Sequence, residues 1–142
     1  MKEQPGEESL AYQLLATAAY VEERLEAALE PVGLSLAKFG ALARLVAAGE
    51  PLPLGTLAER CACVRSNITQ LVDRLEAEKL VVRAADPHDR RSVRAELTEQ
   101  GKSRHAAGLQ ALEDAEKQLF APVPQERREE LLRLLPALRE QV

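Results

Sequence analysis

Between residues 10 and 29 the apolar side chains Leu10, Leu14, Ala18, Val21, Leu25 and Leu29 recur at steps of three and four, with Glu22, Glu23, Arg24 and Glu26 between them. That period places the apolar set on one face of a long helix, and Pro31 and Gly33 end it. Ser35 stands where a cap would open a second helix carrying Phe39, Leu42, Ala43, Leu45 and Val46, which Gly49, Pro51 and Pro53 break. A short third helix starts near Gly55 or Thr56 and runs through Leu57 to Cys61. After a compact corner a fourth extends from about Arg65 to Lys79, with Ile68, Leu71, Val72 and Leu75 as its inner stripe. Leu80 to Arg83 reads as an apolar strand, Asp86 to Arg91 as a hairpin, and a return strand follows. Thr98 opens a fifth helix bearing Ala106, Leu109, Leu112, Ala115 and Leu119. Pro122 and Pro124 separate it from a sixth, lined by Leu131, Leu132, Leu134, Leu135 and Leu138. Residues 1–8 are polar and are expected to be loose.

Helix, corner, helix and then a two-stranded hairpin is the outline of a winged helix-turn-helix, here with long helices at both ends. The expected fold is mainly α with a small antiparallel β wing. It divides into an N-terminal dimerisation arm (1–33), a winged helix-turn-helix DNA-binding domain (34–100) and C-terminal dimerisation helices (101–142), intertwined as one unit. Composition points the same way. Aromatic residues make up only 3% of the chain, so Leu, Ala and Val must build the core; Leu and Ala favour helix, and little is left for a large sheet. Terminal helices of this length would carry Leu and Ala beyond a compact winged core. Burial of apolar surface returns about 25 cal/mol per Å², so an interface shared by two copies is the simplest remedy. Two-fold symmetry also suits a palindromic DNA site. Arms folded back on a single protomer are the other arrangement.

The net charge of −4 hides a division. Residues 60–105 hold ten basic and seven acidic side chains, a balance of +3, against −7 in the remainder. A basic centre between acidic arms suits a module that meets an anion. No apolar run reaches the roughly 18 residues of a membrane span, and there is no signal-peptide core, so a cytoplasmic protein is expected. Two cysteines do not make a disulfide framework. His88 and His105 lie far apart, with no zinc-ligand spacing. There is neither a phosphate-cradling glycine loop nor a nucleophile beside a base, so no cofactor and no enzymatic activity are expected.

A helix that reads the major groove presents short polar and amide side chains to base edges, with cations in reach of phosphate. Arg65, Ser66, Asn67, Thr69, Gln70, Asp73 and Arg74 form such a surface opposite Ile68, Leu71 and Leu75. Asn67 and Gln70, three apart, are the candidates for base edges; Ser66 and Thr69 suit bases or phosphates. Arg74 has the alternative of pairing with Asp73, Glu78 or a neighbouring element, and Ser66 or Asn67 that of capping the helix. In the hairpin, Arg83, Arg90, Arg91 and Arg94 flank the turn Asp86-Pro87-His88-Asp89. Arginine at a narrow tip can enter the minor groove, where the potential is most negative, and Arg90, Arg91 and Arg94 are the wing's DNA-binding candidates. Asp86 and Asp89 are expected to hold the hairpin, Asp89 through a backbone hydrogen bond or an arginine pair.

This arrangement resembles the MarR family of bacterial transcriptional regulators. The resemblance lies in Leu57-Ala58-Glu59-Arg60, Ser66-Asn67-Ile68-Thr69, Leu71-Val72-Asp73-Arg74-Leu75-Glu76, Asp86-Pro87-His88-Asp89-Arg90-Arg91 and Leu97-Thr98-Glu99-Gln100-Gly101, with Gly33-Leu34-Ser35 ahead of the second helix. It spans about residues 10–138. It implies a homodimer of triangular outline with interleaved terminal helices and two winged domains astride a pseudo-palindromic duplex. The helix from about Arg65 would then enter the major groove, and Arg90 or Arg91 the minor groove. Members mostly repress nearby genes, and many leave DNA on binding a small aromatic or phenolic molecule or on cysteine oxidation. Three features depart from the family. Val64 replaces a Ser or Asp helix cap. Lys79 stands where a glycine normally ends the fourth helix and is expected to carry left-handed backbone strain or to alter the termination. Only Tyr12, Tyr20, Phe39 and Phe120 are available to wall a phenolic effector.

Cys61 and Cys63 fall at positions of small core residues, and a buried, inert thiol is the simpler reading. They are also the candidates for a redox switch, in which Arg60 and Arg65 would lower a thiol pKa if either sulfur is exposed. Two alternatives to an effector-released repressor stand beside it: a winged-helix protein-interaction module with little DNA affinity, and a DNA-binding regulator switched by cysteine oxidation or lacking an effector.

Overall fold

The computed structural model describes residues 9–63 and 65–140. The polar segment 1–8 and Val64, and the expectations that rest on them, lie outside the described residues.

Helix α1 (Leu10–Leu29) opens with the Ser9 side chain accepting from the Tyr12 N–H, and a 3-10 turn (Glu30–Val32) continues it. Gly33, at φ 74°, reverses the chain in the left-handed conformation that glycine adopts without steric cost. Helix α2 (Leu36–Ala48) follows, capped by Ser35, whose hydroxyl accepts from the Lys38 N–H at 3.1 Å. A second cap comes from α1, since the Glu26 carboxylate accepts the Leu36 N–H. Two orphan donors of α2 are thereby satisfied.

Helix α3 (Leu54–Arg60) begins earlier than Gly55 or Thr56, because Pro53 takes the cap position. Immediately before it lies strand β1 (Leu52–Pro53), which the periodicity does not predict. Two residues cannot show an alternation, and one of them is a proline. The proline is tolerated because β1 is an edge strand, where a missing N–H costs no ladder bond. Helix α4 (Arg65–Ala77) ends two residues before Lys79, which adopts φ 62°, the left-handed backbone that is one of the two outcomes expected of a lysine there. Ala62, at φ 53°, turns the corner between α3 and α4.

Strand β2 (Val81–Asp86) runs three residues past Arg83, the expected end, because it pairs along most of β3 (Asp89–Leu97). The sheet order is β1-β3-β2, all antiparallel, with Arg83 opposite Ala95 and Leu52 on the other side of Ala95. Helix α5 (Glu99–Leu119) and α6 (Gln125–Ala137) complete the chain.

The motif Leu97-Thr98-Glu99-Gln100-Gly101 has a physical basis. The Thr98 hydroxyl accepts the Gly101 N–H at 2.9 Å to cap α5, and its own proton points at the Lys79 and Leu80 carbonyls, 2.7 and 3.0 Å away. A Cβ on Gly101 would lie 2.1 Å from the Leu80 oxygen, so only glycine lets α5 start against the root of the wing.

Leu29, Leu42, Leu57, Ile68, Val72, Leu75, Leu80 and Val81 are fully buried where α2, α3, α4 and the sheet meet the end of α1. The arms differ. Leu29 is the one buried residue of α1, α6 has none, and Leu10 and Leu132 remain 88% and 72% exposed. No single described helix is long and apolar enough to cross a membrane.

Candidate nucleic-acid interface

Helix α4 is pinned from beneath by Ile68, Val72 and Leu75, all at 0% exposure. The opposite side therefore faces solvent, and Asn67, Thr69, Gln70, Asp73 and Arg74 are exposed. Asn67, Gln70 and Arg74 stand at i, i+3 and i+7, so an amide, a second amide and a guanidinium follow one another along a single face. Arg65 and Ser66 occupy the first turn of the same helix. Arg74 pairs with neither of the acids that flank it, because both are taken: Asp73 by Arg83 at 2.5 Å and Glu78 by Lys38 of α2 at 2.8 Å. No ion pair holds Arg74 among the described residues.

The four wing arginines divide two and two. Arg83 is half-buried and turned toward α4, where it holds Asp73 and Glu76. The Asp73 hydrogen bond raises its already high pKa, with Glu76 adding and burial opposing. Arg94 is also half-buried; it reaches Asp86 at 3.3 Å, and its Nε is buried without a partner among the described residues. It sits in the middle strand, opposite Pro53 of β1 and Ala84 of β2, rather than at the tip. Arg90 and Arg91 are exposed beside the turn, with no ion pair among the described residues. Of the three wing arginines expected to meet DNA, Arg90, Arg91 and Arg94, the last is engaged by Asp86 within the protein, as Arg83 is by Asp73 and Glu76.

The turn is held from both sides. Asp86 accepts the His88 N–H and Asp89 accepts the Arg91 N–H, each at 2.9 Å. The bond from the His88 N–H lowers the Asp86 pKa; burial opposes it less strongly, and the positive charge of Arg94 adds to the lowering. A cavity of about 410 Å³ opens between the wing and the helices, lined by Gly55, Thr69, Asp89, Arg91 and Ser92. It brings the start of α3, the face of α4 and the wing to one place.

Arg83 is the residue whose role sequence reasoning missed. Its signal is readable afterwards: two acids at i and i+3 on one helix, followed by an arginine in the strand that packs on that face.

Cys61 and Cys63 are free and half-buried against the core. Burial raises the Cys61 pKa, Cys63 raises it further, and among the described side chains the cation that opposes them is Arg44. The direction suits the simpler reading of a thiol drawn into the core, with Arg60 exposed. Among the described residues no three His, Cys, Asp or Glu side chains gather to hold a metal. Of the aromatics, Phe39 is stacked on His105, with ring centres 5.1 Å apart, and Tyr20 lines a groove of about 500 Å³ between α1 and α5 with Arg24 and Gln118.

The sequence profile of the MarR family matches residues 32–92. Two curated proteins of Bacillus subtilis (strain 168) are similar. The HTH-type transcriptional regulator MhqR is 31% identical over 97 residues, 67% of this chain and 66% of that protein. The uncharacterized HTH-type transcriptional regulator YkoM is 38% identical over 69 residues, 49% of this chain and 44% of that protein. The matches thus span 66% and 44% of these relatives' lengths. Among solved structures, the transcriptional repressor CouR bound to a 23-mer DNA duplex superposes with a TM-score of 0.89 at 28% identity, covering 99% of this chain and all of that one. CouR from Rhodococcus jostii RHA1 bound to p-coumaroyl-CoA superposes at 0.82 and 21% identity over 99% and 98% of the two chains, a likeness of fold.

Proposed function

This chain belongs to the MarR family of transcriptional regulators, and from that premise we propose that it binds a pseudo-palindromic operator in double-stranded DNA as a homodimer and represses nearby genes. The family and fold are those of regulators, not enzymes.

The observation that carries the reading is the combination on α4 and the wing. Asn67, Gln70 and Arg74 form an exposed row on a helix whose other face is fully buried. Arg90 and Arg91 stand uncommitted at the tip of a hairpin otherwise braced by its own acids. Amides are suited to adenine edges and arginine to guanine or phosphate in the major groove; a pair of arginines on a narrow tip suits the minor groove. Arg65, Ser66 and Thr69 would serve phosphates or bases beside that row. Arg94 would act by stiffening the wing.

Dimerisation is supported by the arms. Leu10, Leu15, Leu132, Leu134 and Leu138 are more than half exposed in one protomer, and solvated leucine on both terminal helices calls for a second copy. Release by a small molecule is part of the proposal; CouR is solved both on DNA and with p-coumaroyl-CoA, so its fold holds either. The groove beside Tyr20 and Arg24 is the candidate place for an effector. A switch through Cys61 would work against a raised pKa, since the thiolate is the reactive form. Acting on the chromosome would place the protein in the cytoplasm.

Selection of fragments from the genomic DNA of the source organism, followed by footprinting, tests the proposal. One dimer protecting a pseudo-palindrome of about two helical turns is the expected result. Weak, unlocalised binding in both reduced and oxidised protein, with tight capture of another protein instead, would overturn it.

A further inference from the structure

Strand β2 is an edge of the sheet, so alternate N–H groups along it face away from β3. At Arg83 that outward N–H is not left to water. It donates to one oxygen of Glu76 in α4 at 3.1 Å, while the Arg83 Nη1 donates to the other at 2.9 Å. The Nη2 reaches the Asp73 carboxylate at 2.5 Å and the Thr69 carbonyl at 3.4 Å. One residue of the wing therefore grips α4 at positions 69, 73 and 76, along roughly 10 Å of helix axis. A single contact would fix a point; three spread over two turns fix a direction.

Stability does not account for this arrangement. Asp73 is 59% exposed, and ion pairs in that setting contribute little. Ile68, Val72 and Leu75 already secure the helix. Asp73 also carries negative charge beside Gln70 and Arg74, on the side proposed to meet phosphate, where a carboxylate by itself opposes binding. What the planar guanidinium adds is geometry, since its donors diverge in a fixed fork. Further along β2, the Asp86–Arg94 pair and the turn bonds carry the same rigidity to the tip.

We propose that Arg83 is a positioning residue that sets the angle of the wing to α4, so that the row Asn67-Gln70-Arg74 and the Arg90/Arg91 tip reach adjacent grooves together. This rests on the DNA-binding reading above. Asp73 is then kept on the DNA side because the clamp needs it, in spite of its charge.

The two ideas make opposite predictions for Asp73→Asn. Electrostatics alone has the variant bind DNA as tightly as wild type or more tightly. The clamp has it bind its selected duplex on the order of tenfold more weakly, the scale of a lost specific contact. It also predicts lost hydroxyl-radical protection under the wing, retained major-groove protection under α4, and unchanged affinity for random duplex. Arg83→Met should do the same more strongly, and Arg83→Lys should not restore it, because an ammonium lacks the fork. The test uses the full chain and the duplex that wild type selects. If wild type selects none, the DNA-binding reading fails and the clamp with it. If wild type binds and Asp73→Asn matches it in affinity and wing protection, the clamp alone is overturned. Should Arg83→Met not fold, Asp73→Asn decides, since its side chain lies mostly in solvent.

Discussion

His105 shows how one side chain links packing to solution conditions. Its ring lies over Phe39 with an interplanar angle of 7°, joining α5 to α2, and burial lowers its pKa from the ordinary 6.5. The unfolded chain then takes up the proton at higher pH than the folded one, so stability rises with pH across that interval. The contribution is fully present above about pH 6.5 and is lost as pH falls through the lowered folded value. Thermal melts between pH 7.5 and pH 5 should show the loss, and His105→Phe, which keeps a ring on Phe39, should reduce it. An unchanged pH dependence in that variant would remove His105 as the cause. At the same scale, Arg94 and Arg83 show that an arginine in a basic motif can be held by the protein's own carboxylates. Their neighbours in space, Asp86, Asp73 and Glu76, decide what they do.

The element scale is where the docking of α5 on the wing root is settled. Thr98 caps α5 and bonds to two carbonyls of the Lys79-Leu80 turn, so it serves two elements at once. Thr98→Ala should cost about 1–2 kcal/mol, the upper part of the range for a lost cap, measured by urea unfolding. A loss below a few tenths of a kcal/mol would mean that the Gly101 contact does the docking alone. Six helices and the hairpin were legible because Leu, Ile and Val repeat at three and four in the helices, and Pro, Gly, Ser and Thr mark their ends. Strand β1 was not legible, since two residues carry no period. Nor was the full length of β2, because Ala84 and Ala85 suit either strand or turn and only pairing with β3 extends them. The face of α4 was legible from the stripe beneath it. The division of the wing arginines was not, because it depends on which carboxylates a neighbouring helix brings near.

At the scale of the whole molecule, the winged core satisfies itself and the arms do not. The buried cluster is complete within one protomer, yet α6 buries nothing and α1 only its last residue. Leu132→Asp, at a position 72% exposed in the protomer, should leave the helical circular dichroism intact and shift the sedimenting species from dimer to monomer. If the mass of wild type is already that of a monomer, or the variant stays dimeric, the leucines of α6 are not the interface. The same logic explains a chain with net charge −4 that is proposed to meet a polyanion: the acidic surplus lies outside residues 60–105, and the arginines that face outward stand at the wing tip.

The most direct measurement is a salt titration of binding to the selected duplex, for wild type and for Arg90→Ala/Arg91→Ala. Wild-type affinity should fall steeply and linearly on logarithmic axes as counterions compete for phosphate. The double variant should bind at least about tenfold more weakly, with a shallower slope, as expected when cations leave the interface. Equal affinity and equal slope in the two proteins would contradict the account, because the only wing arginines left free by the fold would then have no part in binding.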